Sequence, residues 1–240
     1  MKSDPNSPIS WPEFLLQEMA EPWLFQNAIL ESAYPILFAS GAMLYQFKKK
    51  SQQGKYIRGE FQGKTLEGIR LAPGTCELEL VLHLLKKRAI RGLLFFSICG
   101  ALDSALSIGE IVQVTSAQIG EGMSLYYGST WGATVAPFQT AATDFPRVCA
   151  YTTQSLMRET EENLRLWSKN AQVIDCEFSA LFTLSQHLQL PTLAISVVSD
   201  LPLKQKNGMR TPAFRQGCQT ALRFLQQIQH GELFWEGTEV

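Results

Sequence analysis

The chain has 240 residues, 21 of them basic and 22 acidic, for a formal charge of −1; 45% of it is apolar and 18% charged. That balance excludes a nucleic-acid binder built on excess positive charge, and it excludes the charge-rich, apolar-poor composition of a disordered chain. No stretch of about 18 apolar residues occurs, so neither a membrane-spanning helix nor a membrane partner is expected.

The first residues, Met1-Lys2-Ser3-Asp4-Pro5-Asn6-Ser7-Pro8, are polar and proline-rich and read as a loose arm. They show no basic segment leading into an apolar one, so a secretory leader is not expected and a cytoplasmic location is. Ser10-Trp11-Pro12-Glu13 has the pattern of a capping box, opening a helix that carries Phe14, Leu15 and Met19. Residues 34–39 read as a strand closed by Ser40-Gly41-Ala42. A helical pattern follows through Met43, Leu44 and Phe47, with Lys48, Lys49 and Lys50 in a last turn where positive charge suits the helix dipole.

Residues 56–61 and 65–71 alternate around Gln62-Gly63-Lys64 and read as a hairpin. The segment from Gly59 to Thr65 comes close to a phosphate-binding glycine loop. It has one residue too few between its glycines and a strand–turn–strand setting, so a nucleoside-triphosphate site is rejected. After the break at Ala72-Pro73-Gly74-Thr75, residues 76–88 read as a helix with Leu78, Val81, Leu82 and Leu85 on one face. Residues 93–98 are apolar on both faces and belong in the middle of a covered sheet. Another strand is expected over 108–114. Residues 120–146, rich in Gly, Ser, Thr and aromatics, read as a long functional loop. Short strands at 148–152 and 173–175, helices at 159–169 and 178–188, a central strand at 193–200 and a closing helix at 212–229 complete the series. This alternation without a linker predicts one α/β domain, a central mixed β-sheet flanked by helices, over 34–230. An arm and helix over 1–33 precede it, and a tail over 231–240 follows.

The five cysteines, Cys76, Cys99, Cys149, Cys176 and Cys218, form no CxxC pair and are expected to be buried and reduced. His83, His187 and His230 lie far apart, so no metal is expected, and no cofactor motif is found.

In open α/β sheets, ligands bind beyond the carboxyl ends of strands. Three ends stand out. The first opens into Cys99-Gly100-Ala101, where backbone amides can approach a ligand; the second delivers Glu177 to a helix start; the third delivers Asp200. A carboxylate at the end of an apolar strand is costly to desolvate, which raises its pKa and suits a general acid. Asp200 is either that acid or a cap for the following turn, and the pattern leaves both open. Glu177 alone reads more simply as an acidic residue in a first helical turn.

Gly100-Ala101-Leu102, Ile108-Gly109-Glu110-Ile111-Val112, Glu121-Gly122-Met123-Ser124, the segment from Asp175 to Phe182 and Val197-Val198-Ser199-Asp200 stand in the order and spacing of a known set of motifs. Over residues 34–228 the chain resembles the purine and uridine phosphorylase and nucleosidase superfamily. Within it, Tyr151-Thr152-Thr153, the segment from Ser199 to Leu203, and Asn207-Gly208-Met209-Arg210-Thr211 are most similar to the catalytic domain of AMP nucleosidases. The resemblance implies a homo-oligomeric enzyme that cleaves the N-glycosidic bond of a small-molecule nucleoside or nucleotide. It gives Asp200 the role of the acid that protonates purine N7. It gives Glu177, with Cys176 beside it, the ribose, where a negative charge faces the positive charge growing on the sugar. Ser97, Ile98, Cys99, Gly100, Tyr151, Thr153, Leu156 and Ser199 take positions around the base, and Gly74, Glu121 and Met123 are candidate loop contacts.

The departures bear on the reaction. Phosphorylases of the superfamily carry R-x-G-T where this chain has Phe95-Phe96-Ser97-Ile98, so the charge-assisted grip on phosphate is missing. Hydrolysis is therefore expected ahead of phosphorolysis, unless cations such as Arg70, Arg147 or Arg210 replace that grip. Ile119, Met123 and Tyr126 stand where AMP nucleosidases carry Arg, Thr and Asp, which favours a substrate with an apolar 5′ group. Methylthioadenosine/adenosylhomocysteine nucleosidases and futalosine hydrolases take such substrates, and Gly41-Ala42-Met43 resembles their G-A-M segment. Gln46 replaces the water-activating Glu of that group, leaving Glu121 and Asp175 as the remaining carboxylates. A member that binds nucleosides without cleaving them is the third reading. Trp131 and Phe138 are expected at a subunit interface or over the cavity.

Overall fold

The computed structural model describes residues 32–39, 48–53, 55–88, 90–129, 132–135 and 144–231. Strands β2 (Lys48–Gln53), β3 (Tyr56–Phe61) and β4 (Lys64–Arg70) form an antiparallel meander. Its β3–β4 turn is Gln62-Gly63, with φ of 51° and 80°, the left-handed pair that matches strand twist in a two-residue hairpin. β4 runs parallel to β1 (Ile36–Phe38), and β1 parallel to β5 (Leu93–Ala101).

The helix expected through Lys50 is overturned where the structure describes it: β2 is an edge strand. Residues 43–47, the box at Ser10 with its helix, and Trp131 and Phe138 lie outside the described residues.

Beyond β5 the sheet closes on itself. β5 pairs with β10 (Thr192–Leu201), β10 with β6 (Ile111–Gly120), β6 with β8 (Arg147–Thr153), β8 with β9 (Val173–Asp175), and β9 with β5. The closing contacts are Gly100 opposite Ile174 and Ala101 opposite Val173, made because β5 runs on to Ala101. The result is a small barrel with the β1–β4 sheet as a wing. A mixed sheet was expected from the alternation; its closure was not.

Helices α1 (Thr75–Lys87) and α4 (Phe178–His187) cover one face. There Leu78, Val81, Leu82, Leu85, Phe178 and Phe182 share a core with Leu37, Ile69 and Phe95. The other face lies under α5 (Pro212–Gln229), whose Phe214, Leu222, Leu225 and Ile228 pack with Phe38, Leu94, Phe96 and Ile195. Phe95 and Phe96 thus feed opposite cores, and each buried side chain of this size contributes about 1.5–3 kcal/mol. Thr211 caps α5 by accepting the Phe214 N–H, and Pro212 follows at the first helical position. Gly217 lets α5 approach closely: a Cβ there would lie 2.2 Å from the Gly109 carbonyl oxygen.

The strand expected over 108–114 begins only at Ile111 and continues to Gly120. Residues 120–146 hold two elements the sequence did not disclose, α2 (Met123–Tyr126) and β7 (Ala133–Val135), the latter paired with β6. All five cysteines are free, but only Cys99 and Cys218 are buried, and Cys76 is exposed. Cys76 follows the first helical residue, where α1 turns its polar side outward. Among the described residues no helix is long and apolar enough to cross a membrane.

Candidate active site

A cavity of about 790 Å³ opens at the carboxyl ends of β1, β4, β5, β9 and β10. β10 enters it through a bulge. Val198 opposes Cys99 and Asp200 opposes Gly100, so Ser199 is the extra residue. A bulge re-aims side chains, and both Ser199 and Asp200 line the cavity.

The Ser199 hydroxyl lies 2.5 Å from Oδ1 of Asp200 and 3.1 Å from the Cys99 carbonyl oxygen. One hydroxyl proton serves one of these acceptors. Donation to Oδ1 favours the ionised form of Asp200. Burial pushes the Asp200 carboxyl above its ordinary range, against the opposing effect of Ser199. Among the described residues no backbone N–H donates to Asp200, so the turn-cap reading fails.

Gly100 faces this acid. A Cβ at that position would lie 2.8 Å from Cγ of Pro202 and 3.1 Å from Oδ2 of Asp200. Gly100→Ala is expected to destabilise the fold by about 1–3 kcal/mol through overpacking. Chemical denaturation measures it, and an unchanged midpoint would contradict the packing described.

Glu177 arrives by a different route. Oδ1 of Asp175 accepts the Thr152 hydroxyl at 2.7 Å, and Oδ2 accepts the N–H groups of Glu177 and Phe178, each at 2.6 Å. Asp175 therefore caps α4, and the Glu177 carboxyl is released toward the cavity. Its Oε1 accepts the Gly74 N–H at 2.8 Å. Gly74 has φ of 105°, a conformation natural only to glycine. Gly74, a candidate loop contact, anchors Glu177 and is not itself part of the cavity lining, which its neighbours Ala72 and Pro73 join.

Glu177 and Asp175 are both buried, and both carboxyls are held above their ordinary range. Burial is the larger cause for each. The charge of Asp175 adds to it for Glu177, whereas three donors counter it for Asp175. The folded state therefore binds more protons than the unfolded chain, and stability falls as pH rises above about 4 toward the raised range. The melting temperature is expected to be several degrees lower at pH 8.5 than at pH 5.5, at about 2–4 °C per kcal/mol for a chain of this size. Glu177→Gln should flatten that slope; an equal slope in the variant would assign the effect elsewhere.

Ser97, Ile98, Cys99, Gly100, Leu156 and Cys176 line the same cavity. Burial pushes the Cys176 thiol up to about 12, so it is neutral there and no nucleophile. Phe95 and Phe96, at the start of the altered phosphate segment, are fully buried in the two cores.

Four expected contacts fall elsewhere. Tyr151 and Thr153 line a separate cleft of about 370 Å³ together with Gly120 and Trp167, and Tyr151 stacks on Trp167 at 4.3 Å between ring centres. Strand alternation explains this, because Thr152 points at Asp175 and its neighbours take the opposite face. Glu121 is buried away from the cavity. It accepts the Ser179 hydroxyl at 2.8 Å, the Ser124 hydroxyl, and the N–H groups of Met123 and Ser124. That set of donors occupies it, so it is no base for water, and Met123 packs against the core.

The sequence reading also missed cavity residues. Glu159 was placed at the start of a charged helix, but that helix is α3 (Glu161–Trp167), capped by Thr160. A 3-10 turn at Leu156–Arg158 precedes it and brings Glu159 to the cavity. Thr160, with its hydroxyl accepting the Asn163 N–H, was the available signal. Lys55 and Arg70 line the cavity as well, and Lys55 pairs with Glu77. Arg147 and Arg210 are exposed and do not line the cavity.

The fold and this cavity define a nucleoside phosphorylase-like α/β domain. Residues 42–230 match the phosphorylase superfamily, and the chain belongs to it. None of the curated proteins matches it. Among solved structures it is similar to uridine phosphorylase from Vibrio fischeri, with 17% identity, TM-score 0.68, and coverage of 83% of this chain and 92% of that one. It is similar to a 5′-methylthioadenosine/S-adenosylhomocysteine nucleosidase from S. pneumoniae, with 14% identity, TM-score 0.60, and coverage of 82% and 98%. It is also similar to native futalosine hydrolase from Helicobacter pylori, with 14% identity, TM-score 0.63, and coverage of 83% and 97%.

Proposed function

We propose that the protein hydrolyses the N-glycosidic bond of a purine nucleoside or nucleotide. The observation that carries this reading is the convergence of Asp200 and Glu177, from two separate strand ends, on one cavity. Asp200 transfers its proton to N7 of the purine. The electron pair of the C1′–N9 bond then passes to the base, and the sugar becomes oxocarbenium-like. Glu177 accepts hydrogen bonds from ribose hydroxyls. These donors, with Gly74, favour its ionised form, and its negative charge stabilises the cationic sugar. Water adds at C1′, and its surplus proton restores Asp200, so one water yields free base and free sugar.

The lost phosphate segment supports hydrolysis, since Phe95 and Phe96 are core residues. A second reading, phosphorolysis, draws support from Arg70 and Lys55 in the cavity wall. Incubation with AMP, adenosine, inosine, methylthioadenosine and futalosine, with and without phosphate, separates the two. Free base and free ribose in phosphate-free buffer are the expected result. Strict phosphate dependence with a ribose 1-phosphate product would select phosphorolysis. Tight binding with no base released from any of the five would overturn both.

A further inference from the structure

We propose that Glu159 reads the 6-position of the bound base and makes the site select 6-aminopurines over 6-oxopurines. The inference rests on the base-protonating role given to Asp200. On a purine, N7 and the 6-substituent share one edge. Adenine presents there an acceptor at N7 and an amino donor, whereas a 6-oxopurine presents two acceptors. A group that meets N7 therefore has the 6-substituent as its immediate neighbour.

Of the carboxylates lining the cavity, Glu159 is the one left for that place once Asp200, Glu177 and the helix-capping Asp175 have their roles. It lines the cavity with Asp200 and is half-buried, and the charge of Asp200 reaches its carboxyl. Its backbone is held from both sides. Its N–H donates to the Leu156 carbonyl at 3.2 Å, and the next residue, Thr160, caps α3. Among the described residues no donor is bound to its carboxyl group, which leaves both oxygens for a ligand. Burial and then the charge of Asp200 raise the Glu159 carboxyl, and a protonated Asp200 removes the second of these causes, which favours the ionised form of Glu159. An ionised carboxylate only accepts. It pairs with an exocyclic amino group and repels a carbonyl oxygen. Glu161 and Glu162 already place negative charge in the first turn of α3, so Glu159 is not needed for the helix dipole.

The test is calorimetric binding of adenine and hypoxanthine to the intact protein and to Glu159→Gln, beside kcat/KM for adenosine and inosine. The wild type is expected to bind adenine at least about tenfold more tightly than hypoxanthine. Glu159→Gln, whose amide both donates and accepts, should bring the two within about threefold, at an unchanged melting temperature. Equal affinities in the wild type, a ratio untouched by Glu159→Gln, or no binding of either base would overturn the inference. Base binding with the expected ratio but no bond cleavage would instead overturn the hydrolytic function and leave this assignment standing.

Discussion

Asp200→Asn is expected to lower kcat on a purine nucleoside by about 10²–10⁴, because the amide keeps the shape of the acid and loses its proton. The Ser199 contact survives the change, so the melting temperature should stay near that of the wild type. Leaving-group dependence provides the sharper readout. A 4-nitrophenyl riboside departs without protonation, so its cleavage by Asp200→Asn should fall by less than about tenfold. Equal losses on both substrates would assign Asp200 a structural role. Full activity on the nucleoside would remove it from the mechanism.

The second large effect belongs to Glu177. Glu177→Gln retains an acceptor for the Gly74 N–H but removes the negative charge beside the sugar. kcat/KM is expected to fall by about 10²–10³, the size of loss seen when one electrostatic stabiliser of a transition state is removed. The loss should be smaller on a 2′-deoxynucleoside, which has already given up one hydroxyl contact. Stability should move the other way. The variant relieves repulsion between two buried carboxyls, so it should melt above the wild type at pH 8. A variant with normal kcat/KM, or one less stable than the wild type at that pH, would contradict the account of this pair.

Both effects concern side chains that were legible in the sequence, and the reason is local. Asp200 follows an apolar run and Glu177 precedes a helix, so periodicity put both at strand ends, while their roles came only from the resemblance to the superfamily. The hairpin turn at Gln62-Gly63 and the start of α5 at Pro212 were legible for the same reason, since their chemistry lies within a few residues. What escaped depends on contacts between distant segments. Closure of the barrel needs Gly100 and Ala101 beside Ile174 and Val173, which no local pattern announces. The bulge at Ser199 appears only against Cys99 and Gly100.

Misplaced residues follow the same rule. Tyr151 and Thr153 flank Thr152, and which of the three faces the cavity side is decided by Asp175 on the neighbouring strand. Glu121 looked like a spare carboxylate because its partners Ser124 and Ser179 are brought together by the fold. Lys55, in the turn between β2 and β3, reached the cavity unannounced because the helix expected through Lys50 concealed the edge strand before it.

The most direct measurement is a crystal structure of the protein with a non-cleavable purine nucleoside analogue. The predicted result is a ligand spanning the 790 Å³ cavity, with an Asp200 oxygen within ~3 Å of N7 and a Glu177 oxygen within ~3 Å of a ribose hydroxyl. A nucleoside bound with its sugar–base bond out of reach of either carboxyl group, or seated in the cleft beside Tyr151, would contradict it.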